Sequence, residues 1–286
     1  MKKVVRYISA LAPISGLVVF MWVYYVYVFL LCVDIIEEPV KKYSYISVFS
    51  FLILMSVWCL LGTTFKSPAL VPMQYRVTNT QHNLLLELSE DEQHSYLQQI
   101  VIRKNLMVLT CSPNGTIRYC FKCRQIKPDR THHCSTCETC VLKMDHHCPW
   151  VNNCVGYSNY KQFFLLIFYT VLYCLFFITT SMEYIISLIQ EKRREAQIIG
   201  AFTASVFATI IFMVLLGYHI ELVAKNETTI EALREVMFSN GNMTFDLGCW
   251  TNFAEVFGDN RLLWFIPVFS SKGNGYNFHA IYRVLE

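Results

Sequence analysis

Four long stretches without a charged residue constrain this 286-residue chain more than any other feature. They cover 14–33, 45–65, 162–182 and 198–220 and contain 20, 21, 21 and 23 residues. Each is long enough to cross about 30 Å of hydrocarbon as an α-helix. A large soluble protein could also bury such helices, but with only 16% charged residues too little polar sequence remains to cover four of them. We therefore predict four transmembrane helices.

The basic residues are divided unevenly by these helices. Four spans place both termini and the segment 66–161 on one side of the membrane, and that side holds 19 of the 24 lysines and arginines. The other side holds Lys41, Lys42, Lys192, Arg193 and Arg194. Because cytosolic loops carry the excess of basic residues, we place the termini and the middle segment in the cytosol. The net charge of +3 is too small for a nucleic-acid footprint, so no nucleic-acid partner is expected.

The predicted fold class is an all-α integral membrane protein with four transmembrane helices. A cytosolic, two-zinc Cys-rich domain of short hairpins and loops lies between helices 2 and 3. The predicted parts are an N-terminal segment with helices 1 and 2 (1–65), a cytosolic connector (66–119), the Cys-rich domain (120–161), helices 3 and 4 (162–224) and a cytosolic C-terminal domain (225–286). Within the connector, 77–104 is polar and helix-prone, with an amphipathic pattern through Leu97 and Ile100. We expect this stretch to be a plain linker.

The zinc prediction rests on a repeated spacing. Seven of the twelve cysteines lie between Cys120 and Cys154, and the pattern Cys-x2-Cys-x9-His-x6-Cys occurs there twice, offset by 14 residues. The first copy is Cys120, Cys123, His133 and Cys140, and the second is Cys134, Cys137, His147 and Cys154. Three thiolates and one imidazole are the ligands of a closed, tetrahedral zinc site, and disulfides or a redox thiol cluster are the alternatives. Because so short a polar segment buries little core, we expect the metals to supply its folding free energy.

The two copies leave His132, His146 and Cys148 without a metal. A third copy would need a cysteine at position 151, where the chain has Val151. Cys148 follows closely after Asp145 and His146, and a thiol with an imidazole and a carboxylate has the composition of a nucleophile, a general base and an orienting group. Nearby imidazolium and metal would favour the reactive thiolate. Cys148 is therefore the candidate nucleophile, and an inert packed thiol is the alternative.

At these residues the sequence resembles a known family. The stretch 145–156, Asp-His-His-Cys-Pro-Trp-Val-Asn-Asn-Cys-Val-Gly, is similar to the signature of the DHHC protein S-acyltransferases, or palmitoyltransferases. The resemblance extends to 119–123, to 127–134, to Thr-Thr-Ile-Glu at 228–231 and to the Asn-containing segment 252–258. Together with the four-span layout, the similar regions cover nearly all of the chain. The subtype it resembles is that of short animal members without ankyrin repeats or a long tail.

The resemblance implies a two-step transfer of a long-chain acyl group such as palmitate. Cys148 would take the acyl group from acyl-CoA and pass it to a cysteine of a membrane-associated protein, with His146 as general base and Asp145 as orienting acid. It also implies that His147 and Cys154 bind zinc, in agreement with the repeat. The resemblance favours an enzyme of the Golgi, with the endoplasmic reticulum and the plasma membrane as alternatives.

Three residues are candidates for contacts with the CoA phosphates. The segment 118–143 holds six basic and two acidic residues, and Lys127, Arg130 and the spare His132 lie within it. Such a charge excess attracts phosphate groups. A solvated basic face that offsets the charge of the zinc-thiolate sites is the alternative.

Three further residues are expected to meet the acyl chain or the membrane. Trp150, next to Cys148, suits the mouth of an acyl cavity, and an interface anchor is the alternative. An apolar bundle suits a fatty chain, and Tyr173 and Val23 are expected to line its wall and to set the preferred chain length.

Two motifs after the fourth span are expected to be mainly structural. Thr228 to Glu231 has the composition of a capping box at a helix start, and Thr229 is a candidate partner for Asp145. Asn252 is expected to fix the tail against the bundle rather than to touch substrate.

Two other functions remain as alternatives. A non-enzymatic zinc-stabilised membrane scaffold or accessory subunit would have no need for the unassigned thiol. A transporter or channel usually carries ionisable groups along its path, whereas the four stretches contain no Asp, Glu, Lys or Arg.

The predicted topology can be tested at the three glycosylation sequons, Asn114, Asn226 and Asn242. Because all three lie on the predicted cytosolic side, we expect none to carry a glycan when the protein is expressed in eukaryotic cells. Endoglycosidase treatment should leave the electrophoretic mass unchanged. A glycan at any of them would show that the predicted orientation in the membrane is reversed.

Overall fold

The computed structural model describes residues 2–190 and 195–283. The helices are α1 (Lys2–Tyr25), α2 (Pro39–Phe65), α3 (Asn79–Glu87), α4 (Glu90–Arg103), α5 (Tyr160–Gln190), α6 (Ala196–Ala224), α7 (Thr229–Leu233) and α8 (Cys249–Phe257). The strands are β1 (Thr110–Cys111), β2 (Tyr119–Cys120), β3 (Gln125–Ile126), β4 (His132–Cys134), β5 (Thr139–Val141), β6 (His146–Cys148), β7 (Asn153–Val155), β8 (Met237–Phe238), β9 (Met243–Thr244) and β10 (Ile281–Tyr282). Lys192, Arg193 and Arg194, which entered the charge argument, lie outside the described residues.

The chain divides into two units. The first comprises Met1–Phe65, Pro149–Asn152 and Gln162–Ile220, and the second comprises Lys66–Cys148, Asn153–Lys161 and Glu221–Glu286. Among the described residues, the first unit is mainly helical, and the second holds all of the strands.

Four helices of the described chain are long and apolar enough to cross a membrane. They are Leu11–Val33, in which a π-helical segment from Val26 continues α1, Pro39–Phe65, Tyr160–Leu188 and Ala196–Ala224. Each contains one of the four uncharged stretches, so the prediction of four spans is confirmed.

Aromatic side chains fill the interior of the first unit. The ring of Tyr27 stacks on that of Phe49 with centroids 4.0 Å apart, and its hydroxyl shares a 2.7 Å hydrogen bond with Thr180. Tyr173 makes edge-to-face contacts with Phe20 at 5.6 Å and with Phe49 at 6.2 Å. Such edge contacts are favoured by the ring quadrupole. The hydrogen bond satisfies a hydroxyl that would be costly to leave unpaired in hydrocarbon.

The connector folds as part of the second unit, so the expectation of a plain linker is wrong. Its helices α3 and α4 begin at capping boxes, and their side chains Leu85, Leu97 and Ile100 are buried. These three belong to one hydrophobic cluster that also includes Cys120, Ile126, Cys140 and Leu142 of the Cys-rich region. The Cys-rich region therefore shares a hydrophobic core with the connector, which the 120–161 segment considered alone does not reveal.

Three antiparallel hairpins, β2–β3, β4–β5 and β6–β7, form the Cys-rich region. The second and third pair in the same register, so that His133 faces Cys140 in one and His147 faces Cys154 in the other. The 14-residue sequence repeat is thus a repeat of structure, and the predicted short hairpins are confirmed.

The C-terminal part contacts the rest of the second unit at several points. Strand β8 pairs with β1, and β10 pairs with β9. Asn252 in α8 donates from Nδ2 to the carbonyl oxygen of Ala224, the last residue of α6, at 2.7 Å. Helix C-termini leave such carbonyls without partners. Asn252 therefore fixes the tail to the last residue of α6.

Candidate metal centres and active site

Eight cysteine and histidine side chains come together in two groups. The first is Cys120, Cys123, His133 and Cys140, and the second is Cys134, Cys137, His147 and Cys154. Within each group the four candidate ligand atoms lie within 4.8 Å of one another. The structure thus brings together the two sets that the repeat predicts.

The second group has the spacing of a tetrahedral metal site. Nδ1 of His147 lies 3.6, 3.4 and 3.6 Å from Sγ of Cys134, Cys137 and Cys154. Zinc–sulfur bonds of about 2.3 Å and zinc–nitrogen bonds of about 2.0 Å at tetrahedral angles imply ligand separations of roughly 3.5–3.8 Å. Four protein ligands fit such an ion and leave no coordination position for substrate.

The first group is built by two hairpins. Nδ1 of His133 lies 3.2 Å from Sγ of Cys123 and 3.9 Å from Sγ of Cys140. The register of β4–β5 sets His133 opposite Cys140, and the β2–β3 hairpin supplies Cys120 and Cys123. Its turn places Arg124 at a φ of 53°, a left-handed conformation that lets the chain reverse directly after Cys123.

The β6–β7 hairpin carries Cys148, the cysteine of the Cys-rich region that neither ligand group contains. Its register places Cys148 opposite Asn153, as β4–β5 places Cys134 opposite Thr139. Cys134 belongs to the second ligand group, whereas the residue three positions after Cys148 is Val151, so no second thiol completes the pair. Cys148 is buried and occupies the position in β6–β7 that corresponds to the ligand Cys134 in β4–β5, but it belongs to neither ligand group.

Asp145, His146 and Cys148 form a hydrogen-bonded group. Nδ1 of His146 lies 2.6 Å from Oδ2 of Asp145, and the ring also hydrogen-bonds to the Cys148 thiol. Burial opposes the imidazolium, but the interactions with Asp145 and Cys148 outweigh it and raise the pKa of His146 to about 9. A protonated imidazole beside a thiol favours the thiolate. The structure therefore places the three predicted catalytic residues in contact.

The carboxylate of Asp145 is fully buried and is held by the first residue of α7. Thr229 donates its N–H to Oδ1 at 2.9 Å and its hydroxyl to Oδ2 at 2.8 Å. Thr228 is the N-cap of this helix and forms a capping box with Glu231. Both the capping box and the contact between Thr229 and Asp145 are confirmed. A buried carboxylate needs such donors because an unpaired charge would be costly.

Arg130 has a role different from the predicted CoA contact. Its side chain is buried, with Nε and Nη2 donating to the Glu231 carboxylate at 2.9 and 2.7 Å. Nη1 donates to Oδ1 of Asn226 at 2.9 Å. Because the guanidinium is enclosed and its donors are engaged, Arg130 is not available to a phosphate. Counting basic residues along the sequence does not reveal that a charge is buried.

The other predicted acyl-CoA contacts lie in different units. Lys127 and His132 lie in the second unit, and both are half-buried. Burial and the charge of Arg118 lower the pKa of His132 to about 3, so its ring would meet a phosphate only as a neutral hydrogen-bond donor. Trp150 and Tyr173 lie in the first unit, where Trp150 is 73% exposed and Tyr173 is 5% exposed.

Comparison with known proteins agrees with this geometry. A family model described as DHHC palmitoyltransferase matches residues 113–236, which contain both ligand groups and α7. Palmitoyltransferase ZDHHC20 of Homo sapiens is 43% identical over 270 residues, which cover 91% of this chain and 73% of that relative. The chain belongs to the DHHC palmitoyltransferase family. Palmitoyltransferase ZDHHC2 of Danio rerio and of Homo sapiens are 40% and 39% identical, over 90% of this chain and 73% and 71% of those relatives.

In this DHHC palmitoyltransferase, several side chains contact Arg130 that the sequence did not identify as part of the site. Asn226 accepts from Arg130 and, at 3.3 Å, from Nζ of Lys143. The rings of Phe245 and Phe278 lie 4.8 and 5.1 Å from the guanidinium carbon. These residues stand far apart in sequence, and no local pattern joins them. The one available signal is the position of Asn226, two residues before the Thr-Thr-x-Glu motif.

Replacing Thr229 by valine removes the hydroxyl donor to Asp145 but keeps the branched shape and the N–H. We expect acyl transfer to slow by about tenfold, because a hydrogen bond to a charged group contributes about 1.5–3 kcal/mol. Metal content should stay near wild type, and the melting temperature should fall by only a few degrees, because Asp145 keeps the hydrogen bond from the Thr229 N–H. The rate of CoA release measures the effect, and Thr251→Val, at an exposed position of α8, is the control. An unchanged rate for Thr229→Val would show that Asp145 does not depend on this hydroxyl.

Proposed function

We propose that this DHHC palmitoyltransferase works through an acyl-enzyme on Cys148. The observation that carries the proposal is the hydrogen-bonded group of Asp145, His146 and Cys148, in which the thiol lies outside both ligand groups. The relatives are named palmitoyltransferases, which favours palmitoyl-CoA or another long-chain acyl-CoA as the donor. A non-enzymatic scaffold would need neither an activated thiol nor an oriented imidazole.

In the first half-reaction the Cys148 thiolate attacks the carbonyl carbon of the acyl-CoA thioester. A carbon–sulfur bond to Cys148 forms, the bond to the CoA sulfur breaks, and His146 gives its proton to the departing thiolate. Asp145 keeps the imidazole oriented through their 2.6 Å hydrogen bond and stabilises its positive charge.

In the second half-reaction the acyl group moves from Cys148 to a cysteine of a client protein. His146, now neutral, takes the proton of the client thiol, whose sulfur attacks the Cys148 thioester. The Cys148 thiolate leaves and is again paired with a protonated His146. The acyl group is therefore passed twice from one sulfur to another, first to Cys148 and then to the client, and the second transfer returns the site to its starting state.

We propose zinc as the metal of both ligand groups. Three thiolates and one imidazole in tetrahedral spacing suit zinc, and a four-coordinate ion closed by protein side chains supplies folding free energy rather than chemistry. The first group would join β2–β3 to β4–β5, and the second would join β4 to β6–β7. In this way the metals would hold the hairpin that carries Cys148 without touching the reacting atoms.

The reaction is proposed to take place at the cytosolic face of a membrane. Four membrane-spanning helices and the excess of basic residues on the side of the Cys-rich region support this topology. Clients are then membrane-associated proteins with accessible cysteines. The organelle, for which the family resemblance favours the Golgi, stays a prediction.

Two contacts with acyl-CoA are proposed for side chains of the second unit. Lys127 and His132 are half-buried and are proposed to meet the CoA phosphates, the first as a cation and the second as a hydrogen-bond donor. Trp150, with its broadly exposed ring, is proposed to lie at the membrane interface near the entrance for the acyl chain.

Three substitutions separate the chemistry from the metal sites. Cys148→Ser should keep both metals and the fold but form no acyl-enzyme and transfer no acyl group. His146→Ala should also keep both metals and slow the reaction about 10² to 10⁴-fold, the usual contribution of a general base. His147→Ala should lose one metal and destabilise the second unit.

Metal analysis, melting temperature and acyl mass on the purified protein read out these variants. Cys148→Ser that still accepts and transfers acyl groups would end the proposed mechanism. Cys148→Ser that loses a metal would show that the ligand sets are misassigned.

The acyl-chain preference is proposed to depend on Tyr173 and Val23. Both are buried within the first unit, and Tyr173 packs against Phe20 of α1. Shortening either side chain to alanine opens space, so we expect the preference among C14, C16 and C18 acyl-CoA to move towards the longer chains. Competition assays with the three donors measure this, and Leu54→Ala, at a position 64% exposed on α2, is the control. Unchanged preferences in both Tyr173→Ala and Val23→Ala would remove this assignment.

A further inference from the structure

The buried guanidinium of Arg130 has two aromatic contacts in addition to its hydrogen bonds. Glu231 and Asn226 accept its hydrogen bonds. The ring centroid of Phe245 lies 4.8 Å and that of Phe278 lies 5.1 Å from the guanidinium carbon. A desolvated guanidinium is attracted to the face of an aromatic ring within about 6 Å. Both hydrogen bonding and ring contacts therefore fix the position of Arg130.

Two routes lead from Arg130 to the carboxylate of Asp145. Along the backbone, the carbonyl oxygen of Arg130 accepts a 3.1 Å hydrogen bond from the N–H of Met144, the residue directly before Asp145. Through the side chain, Arg130 binds Glu231, which accepts a 2.9 Å hydrogen bond from the N–H of Thr228 at the start of α7. The next residue, Thr229, donates both hydrogen bonds to Asp145 described above.

Phe278 is the partner of Arg130 that comes from the C-terminal segment 270–283. This segment is tied down on both sides of Phe278. Tyr157 donates its hydroxyl to the Gly273 carbonyl oxygen at 2.5 Å, Tyr276 packs edge-on against Tyr75 at 6.0 Å, and β10 pairs with β9. The ring of Phe278 is therefore delivered to Arg130 by an anchored stretch of chain.

Arg130 is the main cation that Phe278 meets. Nζ of Lys143 lies 5.8 Å from the same ring, farther than the guanidinium. Burial and the charge of Arg130 lower the pKa of Lys143 to about 7, so this amine is only partly charged at neutral pH. Removing the ring of Phe278 would therefore mainly affect the position of the Arg130 guanidinium and of the groups that accept its hydrogen bonds.

We propose that Phe278 is a positioning residue for acyl transfer, which holds Arg130 against Glu231 and thereby fixes Asp145 beside His146. The proposal rests on the proposed roles of Asp145, His146 and Cys148. It makes the C-terminal segment part of the catalytic apparatus although Phe278 does not touch the reacting atoms.

The first test compares substitutions of Phe278 that differ in their aromatic face. Phe278→Leu removes the ring and keeps an apolar side chain, whereas Phe278→Tyr keeps the ring. In the full-length protein we expect Phe278→Leu to lower the rate constant of acyl-enzyme formation from palmitoyl-CoA about five- to tenfold, with an unchanged KM, and Phe278→Tyr to restore it to within about twofold. Phe207→Leu, the same substitution at a position 64% exposed on α6, is the matched control and should leave the rate constant unchanged. Metal content is measured on every variant.

The second test asks whether Phe278 acts through the Asp145 contact. In a protein that already carries Thr229→Val, adding Phe278→Leu should cost less than about twofold, because both substitutions weaken the same contact with Asp145 and their effects are then not additive. A purely structural role predicts that the two losses multiply. If Phe278→Leu gives too little folded protein, Phe278→Met, which is flexible and without a ring, replaces it in both tests.

The outcomes separate this proposal from the acyl-enzyme mechanism. A wild-type rate in Phe278→Leu, equal losses in the Leu and Tyr variants, or multiplying losses with Thr229→Val would each overturn the role of Phe278. If Cys148→Ser is inactive while Phe278→Leu is fully active, the acyl-enzyme stands and only this inference falls. If Cys148→Ser remains active, the mechanism itself falls.

Discussion

The catalytic region depends on one constraint: each group of metal ligands is made by residues of two neighbouring hairpins. Strands of two or three residues cannot hold themselves together, so their positions must be fixed from outside the hairpin. Each ligand group takes residues from two hairpins, and β4 contributes His133 to one group and Cys134 to the other. The register of β6–β7 then follows from its own ligands, His147 and Cys154. Cys148 belongs to neither ligand group and lies on a hairpin whose ligands fix its position.

Around this hairpin the protein buries charges that are costly to remove from water. Asp145, Arg130 and Glu231 are buried, and each has partners that satisfy it. Burial favours the neutral carboxyl of Glu231, but the adjacent Arg130 outweighs this and lowers its pKa. Buried ion pairs contribute little net stability, whereas removing one partner is strongly destabilising. Their value here is geometric, since the Arg130–Glu231 pair holds the start of α7, whose Thr229 hydrogen-bonds to Asp145.

The sequence predicts the features that depend on the length of an uncharged stretch, on a repeated spacing of residues, or on the number of candidate ligands. The four spans follow from uncharged length, the ligand sets from a 14-residue offset, and Cys148 from what remains when eight ligands are assigned. The Thr228 capping box is also local and was predicted. The connector and Arg130 were misjudged for one physical reason. Leu85, Leu97 and the guanidinium of Arg130 are all buried by residues that are distant in sequence. A prediction from composition assumes that polar segments and basic residues are exposed to solvent, so it misses this burial.

In the proposed mechanism, the acylated thiol and the metal ligands are different residues of one folded site. Native mass spectrometry of the purified protein after incubation with palmitoyl-CoA, followed by peptide mapping under conditions that preserve thioesters, tests it directly. We predict a species with two zinc ions and one acyl group, with the acyl mass on the peptide that contains Cys148. Acyl mass on any of the eight ligand cysteines and histidines, or acylation that appears only after a metal is lost, would contradict this mechanism.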